Sequence, residues 1–388
     1  MRIAFLSTDL QASEYFDRDT ALVSSLTSFG AVVKVYAPKI SRSSRFSYTR
    51  ARILKKLGYN VFTACDPGRL HLLSRSIEGW VVDANPDIIL SRSTHFTACL
   101  ETSTPMVNYV DAVFNCILGL YPEFKNLDPL SVTFGHMAER RALLRSNLTI
   151  LMSQWAVRKA CRYKLREPYS VSALPAPAIL PYMPTMEDSQ KVRLGAKKPI
   201  RCIVVGKDPW RKGMDVAISA VRELRIQGLN IQLTLLGANP QREWTVEPWI
   251  EIIPPLRKGI KEDYTRLVGI MRTSHIHLLP SRADFSPHVI AETCAFGVPT
   301  IGSPVGGVPD LIDHGLTGLV ARQIDDVREW VGLLDRLIRE PGLLCHMAHQ
   351  ARLKFDSELS LPVVTRKLYA QLESVIYKSK KLDPQAGR

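Results

Sequence analysis

Short apolar runs separated by helical segments recur along the whole chain of 388 residues. Runs of this length are typical of parallel strands that are buried on both faces of a sheet. The segments between them, such as 20–29 and 136–145, have the apolar spacing of helices. This alternation predicts an α/β protein with parallel sheets. The predicted strands are 2–6, 32–36, 87–90, 106–110, 148–152, 171–174, 200–205, 231–236, 250–253, 276–279 and 300–302.

The alternation is interrupted by a proline-rich stretch at 173–184, which is followed by polar residues. Proline density and lost periodicity indicate an interdomain linker, and a chain of this length favours two domains. Doubly wound domains bind ligands at the carboxyl ends of their strands, so a ligand cleft is expected there. The predicted division is a first domain at 1–178, a linker at 179–198, a second domain at 199–360, a C-terminal helix at 361–377 and a frayed tail at 378–388.

Composition changes this picture little. Hydrophobic residues make up 46% of the chain and charged residues 23%, which is ordinary for a soluble globular protein. No apolar run approaches the roughly 20 residues that span a bilayer. The seven cysteines and nine histidines lack the spacing of disulfide frameworks or metal sites. We therefore expect a protein of the reducing cytoplasm without a bound metal.

Charge is distributed unevenly along the chain. The net charge is +14, residues 1–198 contain 26 Lys and Arg against 16 Asp and Glu, and no acidic residue lies between 20 and 65. In segment 39–57, basic and apolar residues interleave at helical spacing, as in segments that lie on the anionic inner face of a membrane. A solvated basic face more often explains such a pattern. A nucleic acid would suit the charge, but no binding module is recognised, so no nucleic-acid partner is predicted.

Candidate chemistry is concentrated at 280–309, directly after a predicted buried strand. The stretch begins Pro-Ser-Arg-Ala-Asp-Phe-Ser-Pro-His-Val-Ile-Ala-Glu. Ser286 and Pro287 suit the N-cap and first turn of a helix, so Asp284 is expected in the preceding loop and Glu292 in the second turn. Both carboxylates then lie beside the free amides and positive dipole end of a helix, which bind anions. Carboxylates bind sugar hydroxyls and amides bind phosphate, so a nucleotide sugar is favoured.

These residues resemble the signature of glycosyltransferase family four (glycosyl transferases group 1), which are retaining nucleotide-sugar transferases with the GT-B fold. That signature has two acidic residues separated by seven others, as Asp284 and Glu292 are. Asp284 replaces the usual Glu, Phe285 the usual Gly and Thr293 the usual Ala. An ordinary strand–loop–helix unit with solvated acids is the alternative. The resemblance implies two Rossmann-like domains that face a cleft, with the helix at 361–377 crossing back to the first domain.

A second motif, Gly-Lys-Asp-Pro-Trp-Arg-Lys-Gly at 206–213, resembles the Gly-Arg…Lys-Gly motif of the same family. In the family the two basic side chains neutralise the donor diphosphate, and Lys207 and Lys212 hold the matching positions. Lys lacks the planar fork of Arg, so Lys207 should bind phosphate less specifically, and Arg211 is an alternative source of that fork. A solvated basic turn is the alternative interpretation.

The resemblance extends to further residues. Asp111, at the end of a strand in the first domain, would hydrogen-bond a sugar hydroxyl, with a helix N-cap as the alternative. Glu139 matches a Glu common in relatives, but an exposed helix pair with Arg140 is the favoured interpretation. Ordinary tight turns are the alternative for the glycines. The expected donor-binding residues are Glu292, Gly206, Arg211, Phe285, Ser286, Pro287, His288, Val289, Gly237, Pro254, Gly306 and Gly307.

The resulting hypothesis is a metal-independent, retaining glycosyltransferase that moves a hexosyl unit from a nucleotide-diphosphate sugar to an acceptor hydroxyl. The resemblance implies no cofactor and no covalent nucleophile: Asp284, Lys212, Lys207 and Asp111 would serve catalysis, and the leaving phosphate would take the acceptor proton. The acceptor class (a glycan, a lipid-linked or a small molecule) stays open, because the loop at 8–19 lacks the glycines common in relatives. Alternatives are a catalytically silent nucleotide-sugar-binding or scaffold protein, and a nucleotide-sugar epimerase of the same fold.

Overall fold

The computed structural model describes residues 1–8, 17–38, 45–165, 170–190, 199–239 and 247–382. Its strands form two six-stranded parallel sheets, which confirms the predicted α/β class. The chain divides into two units. Unit 1 runs from Asp19 to Leu174 and includes the first strand and the C-terminal helix from Val364. Unit 2 runs from Pro175 to Val363 and includes Asp17 and Arg18.

The strands lie within one residue of the predicted positions, and one further strand, β12, was not predicted. It spans three residues, Gly318–Val320. The strands are β1 Arg2–Leu6, β2 Val32–Tyr36, β3 Ile88–Ser91, β4 Met106–Val110, β5 Leu148–Leu151, β6 Val171–Ala173, β7 Ile200–Val205, β8 Ile231–Leu236, β9 Ile250–Ile253, β10 Ile276–Leu279, β11 Thr300–Gly302 and β12 Gly318–Val320.

Helices connect almost all of these strands, as parallel pairing requires. A 3₁₀ turn at Pro122–Phe124 and a π-helical turn at Phe355–Leu359 complete the helical structure of the described residues. The α-helices are α1 Arg18–Ser28, α2 Arg45–Lys56, α3 Pro67–Ala84, α4 Thr94–Thr97, α5 Phe114–Ile117, α6 Pro129–Arg145, α7 Gln154–Cys161, α8 Met186–Gln190, α9 Met214–Ile226, α10 Lys261–Thr273, α11 His288–Ala295, α12 Val308–Leu311, α13 Val327–Arg339, α14 Pro341–Lys354 and α15 Leu361–Leu382.

Unit 1 is built on the sheet order β2-β1-β3-β4-β5-β6. From Val364 onward, α15 belongs to this unit: the ring centroids of Tyr369 and Phe29 are 6.2 Å apart, and Ser172 donates a hydrogen bond to Gln371 (3.0 Å). The helix ends at Leu382, so residues 378–382 are helical, and the prediction of a frayed tail is wrong for them. Residues 383–388 lie outside the described part.

Unit 2 has the sheet order β12-β11-β10-β7-β8-β9. Alternate strand residues enter two apolar cores, one on each face: α9, α13 and α14 cover the first, and α10, α11 and α12 cover the second. Burial on both faces explains why these strands are almost continuously apolar. Of the predicted linker, 186–190 form α8, and 191–198 lie outside the described residues.

None of the helices in the described part of the chain combines the length and the apolar character needed to cross a membrane. All seven cysteines lie in the described part and are free thiols.

Candidate functional site

Three neighbouring strands of unit 2, β11, β10 and β7, deliver loops to the same edge of the sheet, because parallel strands all end on one side. We call the loop after β7 the basic loop (206–213), the loop after β10 the acidic loop (280–287) and the loop after β11 the glycine loop (303–307). The acidic loop lies in the middle, and each of the other two is hydrogen-bonded to it.

Main-chain and side-chain hydrogen bonds join the three loops. The Arg282 amide donates to the Arg211 carbonyl (2.8 Å), and the Arg211 guanidinium donates to the Ala283 carbonyl (2.9 Å). On the other side, the Ser303 hydroxyl donates to the Ser281 carbonyl (2.8 Å). The loops therefore form one preorganised edge.

Two glycines allow this close approach. Gly213 has φ +65°, and a Cβ there would lie 2.0 Å from the carbonyl oxygen of Pro280. Gly306 has φ +59°, and a Cβ there would lie 1.8 Å from the carbonyl oxygen of Asp284. Neither position can hold a side chain without displacing backbone. Gly307 has an ordinary φ of −92° and precedes α12.

Lys212 and Asp284 meet between the basic and acidic loops. Lys212 Nζ lies 2.6 Å from Asp284 Oδ2, and both side chains are buried. The same oxygen accepts a hydrogen bond from the Ser281 hydroxyl (3.2 Å), and an Arg211 nitrogen lies 3.8 Å away. Gly206 leaves room for the lysine, because a Cβ there would lie 2.4 Å from Lys212 Cγ. The predicted basic and acidic residues thus form one contact.

Arg282 holds the basic loop against α9, and sequence reasoning missed it. Its guanidinium donates to both carboxylate oxygens of Asp215 and to the Trp210 carbonyl, all at 2.8 Å, and also to Asp325 (2.7 Å). It lies 4.9 Å from the centroid of the Trp210 ring. The hydrogen bonds with Asp215 raise the pKa of Arg282, so this residue stays charged.

The structure does not place the Lys207 side chain in contact with the Lys212–Asp284 pair. Its side chain is exposed, and among the described residues it has no hydrogen bond or ion pair. The Arg211 amide donates to Asp208 (3.0 Å), and the Arg211 side chain is held by the acidic loop. The Arg211 side chain is therefore nearer to Asp284 than the Lys207 side chain is.

The helix after the acidic loop begins later than predicted. It starts at His288, with Pro287 in extended geometry at the cap position, so the predicted N-cap role of Ser286 is wrong. The buried Ser286 hydroxyl has no hydrogen-bond partner among the described residues. Val289 packs into the apolar core, so only its backbone can meet a ligand, whereas Phe285 is half-buried.

Glu292 lies in the second turn of α11, as predicted, and it is paired with a lysine that sequence reasoning missed. Lys258 Nζ contacts Glu292 Oε1 and donates to the Ile179 carbonyl (2.9 Å). On the same helix, His288 donates from Nδ1 to the Pro177 carbonyl (2.7 Å). The signal for Lys258 was its position in the loop after β9, at the edge where strands β7 and β10 also end.

His277 in β10 is fully buried. Its Nδ1 lies 3.0 Å from the Thr300 hydroxyl oxygen. Burial, and then the charge of Lys212, lowers the pKa of His277 to about 3, so the ring is neutral at physiological pH. A ligand at the loop edge cannot reach it.

The other expected positions of unit 2 lie around the same edge. Gly237 follows β8 with φ +92°, and a Cβ there would lie 3.1 Å from the Gly206 carbonyl oxygen. Pro254 follows β9 and is exposed. In the described residues, no group of three or more His, Cys, Asp or Glu side chains is arranged to hold a metal ion.

In unit 1, Asp111 directly follows β4 and is half-buried. The N-cap of α5 is Val113, so the alternative N-cap role of Asp111 is wrong. The predicted exposure of Glu139 is also wrong. Glu139 is buried and accepts hydrogen bonds from the Phe114 amide (2.9 Å) and the Thr94 hydroxyl (3.2 Å). Burial raises the pKa of Glu139 to about 7 against the effect of these bonds.

Comparison with known proteins identifies a family match in the second half of the chain. Residues 186–354 match the family model "Glycosyl transferases group 1". The amylovoran biosynthesis glycosyltransferase AmsK of Erwinia amylovora is 28% identical over 198 residues, 47% of each chain. The D-inositol 3-phosphate glycosyltransferase of Rhodococcus erythropolis is 30% identical over 182 residues, 44% of this chain and 40% of that protein. The chain thus aligns with about half the length of these relatives or less.

Solved structures extend the likeness to nearly the whole chain. A sucrose-phosphate synthase of Thermosynechococcus elongatus has a TM-score of 0.70 at 16% identity, covering 96% of this chain and 99% of its own. HepE of Anabaena in complex with UDP has a TM-score of 0.65 at 16% identity, covering 96% and 100%. At such identities the likeness concerns the fold. The chain therefore has the GT-B fold, and its segment 186–354 belongs to the glycosyl transferases group 1 family.

Proposed function

We propose that this protein transfers a sugar from a nucleotide-diphosphate sugar to an acceptor hydroxyl with retention of anomeric configuration. The observation that carries the proposal is the buried contact of Lys212 with Asp284 beside the N-terminus of α11, where Glu292 follows in the second turn. This arrangement offers cations, free amides and carboxylates within one edge of a sheet. Those are the groups that a diphosphate and two sugars require.

The charge balance of the basic and acidic loops supports a diphosphate. Lys207, Arg211, Lys212 and Arg282 provide four positive charges, and Asp208 and Asp284 provide two negative ones. Arg282 is paired with Asp215 and Asp325, which lie outside the two loops. The N-terminus of α11 adds about half a positive charge, and the buried Ser286 hydroxyl is available there. The excess positive charge lies where a leaving diphosphate would gain charge. Preorganised electrostatic stabilisation of this kind is usually the largest contribution to catalysis.

The two acids are suited to different parts of the donor. Asp284 lies in the loop, between Lys212 and the helix terminus, where it would orient the transferred sugar. Glu292 lies one turn into the helix and would hold the ribose. The HepE complexes contain UDP or UDP-glucose, so uridine-diphosphate sugars are the first donors to test.

No free catalytic base is required for this reaction. The carboxylates of Asp284 and Glu292 are both ion-paired with lysines, and His277 is buried and neutral. We propose that the departing phosphate accepts the proton of the acceptor hydroxyl on the face from which it leaves. Asp111, at the carboxyl end of β4, would hydrogen-bond a donor-sugar hydroxyl.

We also propose a peripheral membrane contact through α2, on the inner face of the cytoplasmic membrane. A buried ion pair of Arg50 with Asp66 (3.1 Å) fixes one side of the helix. Tyr48 and Ile53 are exposed elsewhere on the surface of this helix, and Leu57 follows the helix; the exposed fractions of the three residues are 66%, 55% and 67%. Exposed lysines and an arginine flank them; these are Arg52, Lys55 and Lys56. Residues 39–44 of the predicted segment lie outside the described part. Apolar groups framed by cations suit anionic lipid.

The direct test of the transferase proposal uses the wild-type protein with UDP-, GDP- and ADP-glucose. We expect one of them to raise the melting temperature, and an acceptor screen to give release of the matching nucleoside diphosphate in buffer containing EDTA. Activity that EDTA abolishes and Mg²⁺ or Mn²⁺ restores would contradict metal independence. Donor binding without release, across glycan, lipid-linked and small-molecule acceptors, would favour the silent alternative.

Lys212→Ala should lower kcat by roughly 10²- to 10³-fold, the range seen when one preorganised electrostatic donor is lost. Lys207→Arg is the matched control and should keep near wild-type turnover, because Lys207 is exposed and Arg is the common family residue. The measurement is steady-state release of nucleoside diphosphate, with melting temperatures of both variants recorded. If folded Lys212→Ala turned over at the wild-type rate, the diphosphate site would be wrong.

Substitutions of Asp284 and Glu292 should have different effects on the steady-state kinetics. Ribose contacts change little during the reaction, so Glu292→Gln should act mainly on donor KM. Asp284→Asn should lower kcat because sugar orientation governs attack, and Asp284→Glu, the family residue, should retain more activity than Asp284→Asn. Steady-state kinetics of the three variants tests these assignments. The assigned roles would be wrong if Asp284→Asn left kcat unchanged while Glu292→Gln lowered kcat at unchanged KM.

The membrane proposal predicts co-sedimentation with vesicles that contain phosphatidylglycerol, weakened by high salt because the attraction is electrostatic. Ile53→Asp with Leu57→Asp should reduce binding at least tenfold, since apolar burial is lost. Val82→Asp is the matched control, because Val82 is an exposed apolar residue on another helix of unit 1. Equal binding of the wild type and the α2 variant would exclude α2 as the membrane contact.

A further inference from the structure

Lys258 belongs to neither motif that the family resemblance carries, yet it is fixed at the donor site by two contacts. Its ammonium contacts Glu292 Oε1 and donates to the Ile179 carbonyl at 2.9 Å. The second contact is to the main chain, so the position of Lys258 does not depend on the glutamate alone. An ammonium group has three N–H donors, and these contacts use two of them.

Only one of the two carboxylate oxygens of Glu292 has a partner among the described residues. Lys258 occupies Oε1, and Oε2 accepts no hydrogen bond from the described residues. The Lys258 side chain is 23% exposed and that of Glu292 8%. Both line a pocket whose other lining residues are Asp17, Arg18, Ile179, Leu256 and His288. The pair therefore offers a ligand one free donor on Nζ and one free acceptor on Oε2.

A neighbouring donor and acceptor suit a vicinal diol, in which one hydroxyl donates and the adjacent oxygen accepts. The ribose of a nucleotide carries such a diol. Building on the proposed function, we propose that Lys258 is a donor-binding residue that acts with Glu292 on the two adjacent ribose hydroxyls. The lysine also keeps Glu292 Oε1 occupied, which leaves Oε2 directed to the ligand.

The test compares ribonucleotides with 2′,3′-dideoxynucleotides, because only the former carry the diol. UDP, GDP and ADP and their dideoxy counterparts are titrated calorimetrically into the wild type, Lys258→Met, Lys258→Arg and Lys261→Met. Lys261 is the matched control, an exposed lysine at the start of α10. Hydrogen bonds to charged groups predict that the wild type prefers the ribonucleotide by at least about tenfold.

We expect Lys258→Met to reduce this preference to about threefold or less, Lys258→Arg to restore part of it, and Lys261→Met to leave it unchanged. A role confined to folding stability would weaken both ligands alike and keep their ratio. If Lys258→Met keeps the wild-type preference for the ribonucleotide, the inference is wrong and the proposed function is unaffected. If the wild type binds none of the three diphosphates, the proposed function and this inference fall together.

If Lys258→Met does not fold, its melting curve will show this, and the decision then rests on Lys258→Arg. A guanidinium is bulkier than an ammonium and forms its hydrogen bonds in a fixed plane. The ratio of ribonucleotide to dideoxynucleotide affinity should therefore fall measurably in Lys258→Arg. An unchanged ratio in that variant overturns the inference.

Discussion

The buried ion pair of Lys212 and Asp284 is the contact on which the arrangement of the loop edge depends. The two side chains come from different loops, 72 residues apart in sequence, and their charged atoms are 2.6 Å apart. Removing one partner of such a pair leaves an uncompensated buried charge, at a cost of about 3–5 kcal/mol. The pair joins the basic loop to the acidic loop and fixes the position of the lysine that we propose binds the diphosphate.

Steric constraints enforce the same geometry from the backbone. Gly213 and Gly306 lie so close to the carbonyl oxygens of Pro280 and Asp284 that any side chain would separate the loops. Arg282 adds a third constraint, since it is held by carboxylates of two other elements and lies against the ring of Trp210. Catalysis by positioned charge requires groups that do not reorganise during the reaction. Here charge pairing, backbone contact and hydrogen bonding each limit reorganisation.

Much of the fold could be predicted because strand pattern is a local property. Buried parallel strands are short apolar runs, and that pattern located eleven of the twelve strands in the described part of the chain. The signature spacing likewise located Asp284 and Glu292. The start of α11 was misplaced because both Ser286 and Pro287 suit a helix start, and only the backbone angles decide between them.

The errors at Lys258 and Glu139 have a different origin. The partner of Lys258 is 34 residues away and on another element, so no local pattern pairs them. Glu139 precedes the buried Ala142 and Leu143 at the spacing of one helix face, a signal for burial that its charge outweighed. Its partners, the Phe114 amide and the Thr94 hydroxyl, come from two other helices. Charged residues inside a fold are thus the hardest to predict, because tertiary partners decide whether they are buried.

The distribution of likeness along the chain bears on where specificity lies. Sequence likeness to the family falls at residues 186–354, within unit 2, whereas structural likeness covers 96% of the chain at 16% identity. Every nucleotide-diphosphate sugar presents a diphosphate and a ribose, so the proposed donor site meets the same groups whatever sugar is transferred. Acceptors differ in size, charge and solubility, so the surfaces that bind them diverge while the sheet beneath them is retained. The matched family segment includes no residue of unit 1, and we propose that the determinants of acceptor specificity lie there.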